Sequence, residues 1–483
     1  MLTSTANRDS HPPLPSFWPR VRRFAVPASM IETATARREA GDWAGACAAA
    51  RVDVDLQLRS VASSHGRELA ACIRADLRHL APDLLRWHLP RIAPHGLLRP
   101  GLTIELARYD PLERDGPAPL HLVVRTPPAW ADAGQRISLA LWDGSHAEPT
   151  ARRHPHPHPN RRFRLDLHRH LWDARRADEL RLRSGADGLS TEPADAAVDP
   201  DLWRAVPADR RCAVDRWAAE AATLLRAERQ EGQEPGGAVS VRLGGRRRLL
   251  LRVENGEDGW GTPVARIAAV VPDQGSSAAP VLPDAATWVL PDLDLLRTGA
   301  VAAGQLHPLV ARALVPGPPP PTSAPARSRT GDGTGATRLV DCRGAQHRIG
   351  LVDGALAPLD HDPAEIRREE LLVALTGTPL PCLRAIDEAH RRPDCLTGVR
   401  ERLDHGDIAG ALDVVEGLLG PEAVLREGPL RDELEAAARR RITYGLFRAG
   451  LLGSGPLHRH SVPRRLVDPR PRRARRPRHT TVS

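Results

Sequence analysis

Twenty histidines and six cysteines carry most of the chemistry this chain could do, and the densest imidazole group lies in RRHPHPHPNRRFRLDLHRHLW. His154, His156 and His158 stand at alternate positions, which share one face of an extended chain. A partner strand carrying His168 and His170 would bring five imidazoles within reach of Zn²⁺ or Ni²⁺. Against a metal, no carboxylate or thiolate stands at ligand spacing, and alternating His-Pro makes a stiff, solvated loop. The segment is therefore read as metal-free. Were the chain an enzyme working through acids and imidazoles, Asp166, His168, His170 and Asp173 would be its catalytic set.

A second group is Cys342-x4-His347 together with Cys382, His390 and Cys395. Structural zinc takes four thiolate or imidazole ligands, usually including one closely spaced Cys pair, and no pair here has that spacing. Cys382 and Cys395 are read instead as small core residues of helices, the common fate of a thiol that binds nothing. Asp360-His361-Asp362 has the look of a ligand triplet. Yet Asp362-Pro363-Ala364-Glu365 places an acid at an N-cap, proline at the first helical position and glutamate three residues after the cap, so it reads as a helix start. No metal and no cofactor is expected from these residues.

Lysine does not occur, so all 69 basic residues are arginine. With abundant Ala, Pro and Gly and only two Met, this has the stamp of a GC-rich bacterial genome, and much of the arginine reports nucleotide composition. The absence still has chemical force. Walker-A nucleotide binding, protein-kinase catalysis, pyridoxal-phosphate chemistry and Ser-x-x-Lys hydrolysis all need a lysine. Nor is there a Gly-x-Ser-x-Gly elbow, a His-Glu-x-x-His helix or a Gly-x-Gly-x-x-Gly turn.

The elements that must position these residues follow from periodicity. Two short helices meet at Gly41-Asp42, and Val61 to Leu80 gives a longer one ended by Pro82. Alternating segments at 102–106, 120–124, 137–141 and 163–167 predict a half-buried antiparallel sheet. A helix follows over 209–229, then a hairpin whose strands around Val241 and Leu249 flank Gly244-Gly245, then a strand at 265–271. Past residue 337 comes a small meander near Leu339, 347–352 and 355–359, then helices at 363–375, 383–390, 408–419 and 430–447. Gly406-Asp407-Ile408-Ala409-Gly410 repeats the pattern of Gly41-Asp42-Trp43-Ala44-Gly45. Over these few residues it resembles the turn of a tetratricopeptide-type helix pair. The rest of that repeat of roughly 34 residues is missing, so both places are read as generic αα-hairpins.

The fold class is thus α+β: an N-terminal mixed helical and antiparallel-sheet region, a linker, and a small β-meander plus helical C-terminal domain. The divisions are a disordered segment 1–27, an α+β region 28–315 with subdomains at 28–95 and 96–315, and a Pro/Gly/Ser-rich linker 316–336. They continue with a domain 337–452 and a disordered Arg/Pro-rich tail 453–483. No secretory signal and no apolar run of about 18 residues occurs, and the cysteines are sparse, which predicts a cytoplasmic protein without membrane attachment. From Pro456 onward, nine arginines face only Asp468, so the tail carries +8 of the formal +9. Arg464, Arg465, Arg470, Arg472, Arg473, Arg475, Arg476 and Arg478 would make any nucleic-acid binding weak and non-specific. The leading expectation is a non-catalytic interaction or regulatory protein with a protein partner. The alternatives are a His/Asp- or Cys-dependent enzyme and a nucleic-acid-associated protein.

Overall fold

The computed structural model describes residues 17–110, 119–132, 134–144, 154–186, 200–207, 211–228, 237–244, 247–254, 263–272, 279–315, 338–342, 344–352, 355–376, 380–391, 396–419, 425 and 427–451. The chain is α+β. Helices α1 (Ala28–Glu39), α2 (Trp43–Ala49), α3 (Arg67–His79) and α4 (Pro82–His88) pack against a four-stranded sheet. That sheet contains β1 (Val52–Val54), β4 (Thr103–Tyr109), β5 (Leu120–Arg125) and β6 (Ile137–Trp142); the pair β2 (Arg91–Ile92) and β3 (Leu97–Leu98) stands apart. Strands β4, β5 and β6 run antiparallel, and β1 joins β6 in parallel with Val52 opposite Ile137.

Several expectations are corrected here. The sheet is buried on both faces, with Thr103 to Ala107 all inside, and the helices and Phe163, Leu165, Leu171 and Trp172 share its core. The 163–167 segment is not a strand. It makes a single bridge from Arg164 to Glu105, while Phe163 and Leu165 are buried from turns. The helix expected over 61–80 is broken at Gly66, whose φ of +95° lies in the left-handed region that glycine tolerates. Pro82 opens α4 at its first position, where the missing N–H costs no hydrogen bond. Order also begins before residue 28: Val21, Ala25 and Val26 are fully buried in the main core. Helix-spaced Val21, Phe24 and Ala25 outweigh the flanking prolines.

Helices on one side of the expected 95/96 division, the sheet on the other and residues 290–314 share that core. A separate core spans 202–286. There α5 (Trp217–Glu228) lies on a sheet of β7 (Gly237–Arg242), β8 (Arg247–Glu254) and β9 (Val264–Pro272), the hairpin pairing Val241 with Leu249 as its alternation implies. Among the described residues, no helix is long and apolar enough to cross a membrane.

The expected linker 316–336 and the arginine tail lie outside the described residues. Between them, β10 (Arg338–Cys342), β11 (Ala345–Val352) and β12 (Ala355–Pro358) form the meander. Helices α6 (Pro363–Thr376), α7 (Pro381–Arg391), α8 (Leu396–Asp404), α9 (Ile408–Leu419) and α10 (Pro429–Ala449) follow. Sequence periodicity missed α8. This C-terminal unit touches the N-terminal body: Arg448 pairs with Asp55, Tyr444 donates to Asp53, and Arg51 donates to the His405 carbonyl at 2.7 Å. The turns at Gly41 and Gly406 are built alike, each with φ near +80° and the next Asp capping the following helix. Gly406 lies backbone to backbone against Gly134, so close that a Cβ there would fall 1.9 Å from the Gly134 oxygen.

Candidate metal centre

The meander places two donors on one face. In the β10–β11 register Val340 faces His347 and Cys342 faces Ala345, and residues two apart on a strand share a side. Cys342 and His347 therefore project together, which is what a Cys-x4-His spacing means once it spans a hairpin. The third donor, His361, follows β12. Its turn is braced by Asp360, which accepts from the Arg348 backbone N–H at 2.7 Å and from the Arg348 guanidinium at 2.7 Å. The fourth, Cys382, occupies the first turn of α7 behind Pro381. One ligand atom from each of Cys342, His347, His361 and Cys382 lies within 4.8 Å of all the others. Among the described residues, this is the one such group of histidine, cysteine and acidic side chains.

Both sulfurs are fully buried and His361 nearly so, with His347 the half-buried member. His347 Nδ1 and His361 Nε2 stand 2.8 Å apart, somewhat closer than the ~3.3 Å between two nitrogens on tetrahedral zinc. His361 Nδ1 faces Glu365 Oε2 at 3.5 Å, the arrangement of a carboxylate orienting a metal-ligating imidazole. Burial, and a hydrogen bond with Cys342, push the Cys382 thiol up to about 11. Zinc would displace both thiol protons and replace a costly buried pair by coordination bonds. Two thiolates and two imidazoles make a closed tetrahedral set, with no position left for water or substrate.

Three of these four residues stood in one group at the level of sequence, with the wrong companions. His390 lies at the end of α7, nine residues from the helix start that carries Cys382, and Cys395 lies outside the described residues. Cys382 is buried as expected, but beside Cys342, with Leu380, Val340 and Leu383 around the pair. The helix start at Asp362-Pro363 is real, since Asp362 accepts from the Ala364 N–H at 2.9 Å. That true signal concealed His361, which uses the same turn for a different purpose. The spacing rule that counted against zinc looks along the chain, whereas these ligands are gathered across a hairpin and two helix starts.

The histidine-rich segment does not converge. His154 is buried beneath the sheet end, its Nε2 2.9 Å from the Thr126 carbonyl and its Nδ1 2.9 Å from the His156 carbonyl. His158 meets the Trp142 ring edge-on. His168 lies elsewhere, with Nδ1 on the Arg164 carbonyl at 2.8 Å and Nε2 3.2 Å from Glu220. Glu220 is held down at about 2: burial alone would raise it, but His168 and the Arg183 fork both favour its charge. His170 is pushed well below the usual imidazole range by burial and then by His168.

The acids expected to act beside them are committed to arginines. Asp166 is pushed up by burial although the Arg164 guanidinium holds it at 2.7 Å. Asp173, fully buried, is kept low against the cost of burial by Arg175 and Arg169, which also tie it to Asp76. The His168 and His170 rings lie 5.8 Å apart, and none of these four residues lines the crevice between the sheet and α10. That crevice is lined by Asp55, Ser138, His154 and Arg448 among others. It holds no nucleophile–base pair, because both His154 nitrogens face backbone carbonyls. The tail arginines Arg464 to Arg478 lie outside the described residues. Compared with protein-family models, with curated proteins and with solved structures, the chain shows no match.

Proposed function

We propose that the chain is a non-catalytic interaction protein whose C-terminal meander is stapled by a structural zinc ion on Cys342, His347, His361 and Cys382. The observation that carries this reading is the convergence of four soft donors from four separate segments on one buried point. A second support is that the two sulfurs pack with Leu380, Val340 and Leu383 in one cluster, which joins the end of β10 to α7 at the same point. The closed ligand set favours architecture over catalysis. On this reading the chain works in a reducing cytoplasm, where thiolate centres persist and disulfides do not. Its partner is a protein that recognises the ordered C-terminal unit.

Elemental analysis of untagged protein tests the metal. One zinc per chain is expected, lost in Cys342→Ser with Cys382→Ser and retained in His168→Ala with His170→Ala. Cobalt substitution should give the visible d–d absorption of tetrahedral thiolate coordination. A chain that neither retains zinc nor takes it up after reduction overturns the reading.

A further inference from the structure

We propose that Cys342 and Cys382 are also a redox modification site, at which a hydroperoxide converts the two sulfurs into an intramolecular disulfide and expels the metal. The metal-bound state rests on the reading given above; the disulfide state rests on geometry alone. The two sulfurs come from different elements, the end of β10 and the first turn of α7, and meet inside one small core. No other pair among the described cysteines is so placed: Cys47 and Cys212 lie in separate cores, and Cys72 is exposed on α3. His347, half-buried, is the least buried of the four donors.

The chemistry closes in two steps. One thiolate attacks the terminal oxygen of the hydroperoxide; an S–O bond forms, the O–O bond breaks, and with one proton from solvent the alcohol, or water from hydrogen peroxide, departs. The sulfur is oxidised to a sulfenic acid and the peroxide is reduced. The second thiolate then attacks that sulfur; an S–S bond forms, the S–O bond breaks, and the hydroxyl leaves as water with a second proton. Metal and disulfide exclude each other. Thiolates on one zinc lie about 3.8 Å apart and carry the charge that holds it, whereas disulfide sulfurs lie about 2.05 Å apart and are neutral. Two imidazoles are left, and by themselves they bind zinc weakly. Either state ties β10 to α7.

The test uses the full chain with Cys72→Ser and Cys395→Ser, titrated with hydrogen peroxide. Zinc release is read with a chromogenic chelator and sulfur linkage by non-reducing peptide mass spectrometry. One Cys342–Cys382 disulfide per zinc released is expected, with Cys47 and Cys212 still reduced, and a thiol reductant should restore zinc uptake. Metal release with sulfinic or sulfonic acids and no Cys342–Cys382 linkage overturns the proposal. If the purified chain holds no zinc, the metal reading fails separately. The same titration on the reduced, metal-free chain still decides between disulfide and over-oxidation.

Discussion

The region around Glu220 and the knot around Cys382 both bury groups that can ionise, yet they are held in opposite ways. Glu220, Arg183 and His168 sit between two extensive apolar cores, and their charges satisfy one another. Around Cys382 the donors, two thiols and two imidazoles, face one another, and the proposed zinc would satisfy all four at once. Convergence of donors from separate segments is therefore a more informative sign of a site than a run of histidines within one.

The largest expected effect breaks the C-terminal side of that contrast. Structural zinc supplies on the order of 10 kcal/mol of apparent folding free energy near neutral pH. Chelation, or Cys342→Ser with Cys382→Ser, should therefore abolish hydrogen-exchange protection over 338–391 while leaving 18–315 protected. Unchanged protection in metal-free protein would mean that the meander holds itself.

The next effect is on the other side. Glu220→Gln leaves a guanidinium and an imidazole buried without their anion and should cost about 3–5 kcal/mol of stability, read as a shift in the denaturant midpoint with zinc content unchanged. Because the Glu220 carboxyl is held at about 2, below its ordinary value, its contribution is complete above roughly pH 4.5. It is lost as the pH falls from there toward 2. The variant should therefore show a flatter acid limb, and an identical limb would take Glu220 out of the network.

What was legible in the sequence follows the same division. The hairpin through Val241 and Leu249, the meander and the helix over 408–419 are set by alternation and spacing within one segment, and they appear where expected. Strand β1 has three residues, too few to show a period, and owes its place to pairing with β6. The 163–167 segment alternates as a strand does, but it makes only one bridge to β4, and Phe163 and Leu165 are buried from turns. At the metal centre, Cys342, His347 and Cys382 were visible as a group. Their fourth member, His361, was not, because the helix start at Asp362-Pro363 accounts for its turn and its meeting with His347 is a fact of tertiary structure.

The smallest effect concerns the joint between the two regions. Arg448→Ala with Tyr444→Phe removes the ion pair with Asp55 and the hydrogen bond to Asp53, worth about 2 kcal/mol of docking for charge-assisted bonds. With a protease site engineered into 316–336, the cleaved wild-type halves should co-elute and those of the variant should separate. Co-elution of the variant halves would shift the weight of docking to Arg51 and to the edge-on contact of Trp130 with Phe447.

The touching backbones of Gly134 and Gly406 make that joint readable in other genomes. Neither position has room for a side chain, and the two lie far apart in the chain, so selection to keep the halves together must act on both at once. A homologue that retains the four zinc donors and carries a larger residue at either glycine would keep the staple and have lost this seating. The two glycines thus record the history of the assembly separately from the history of the metal.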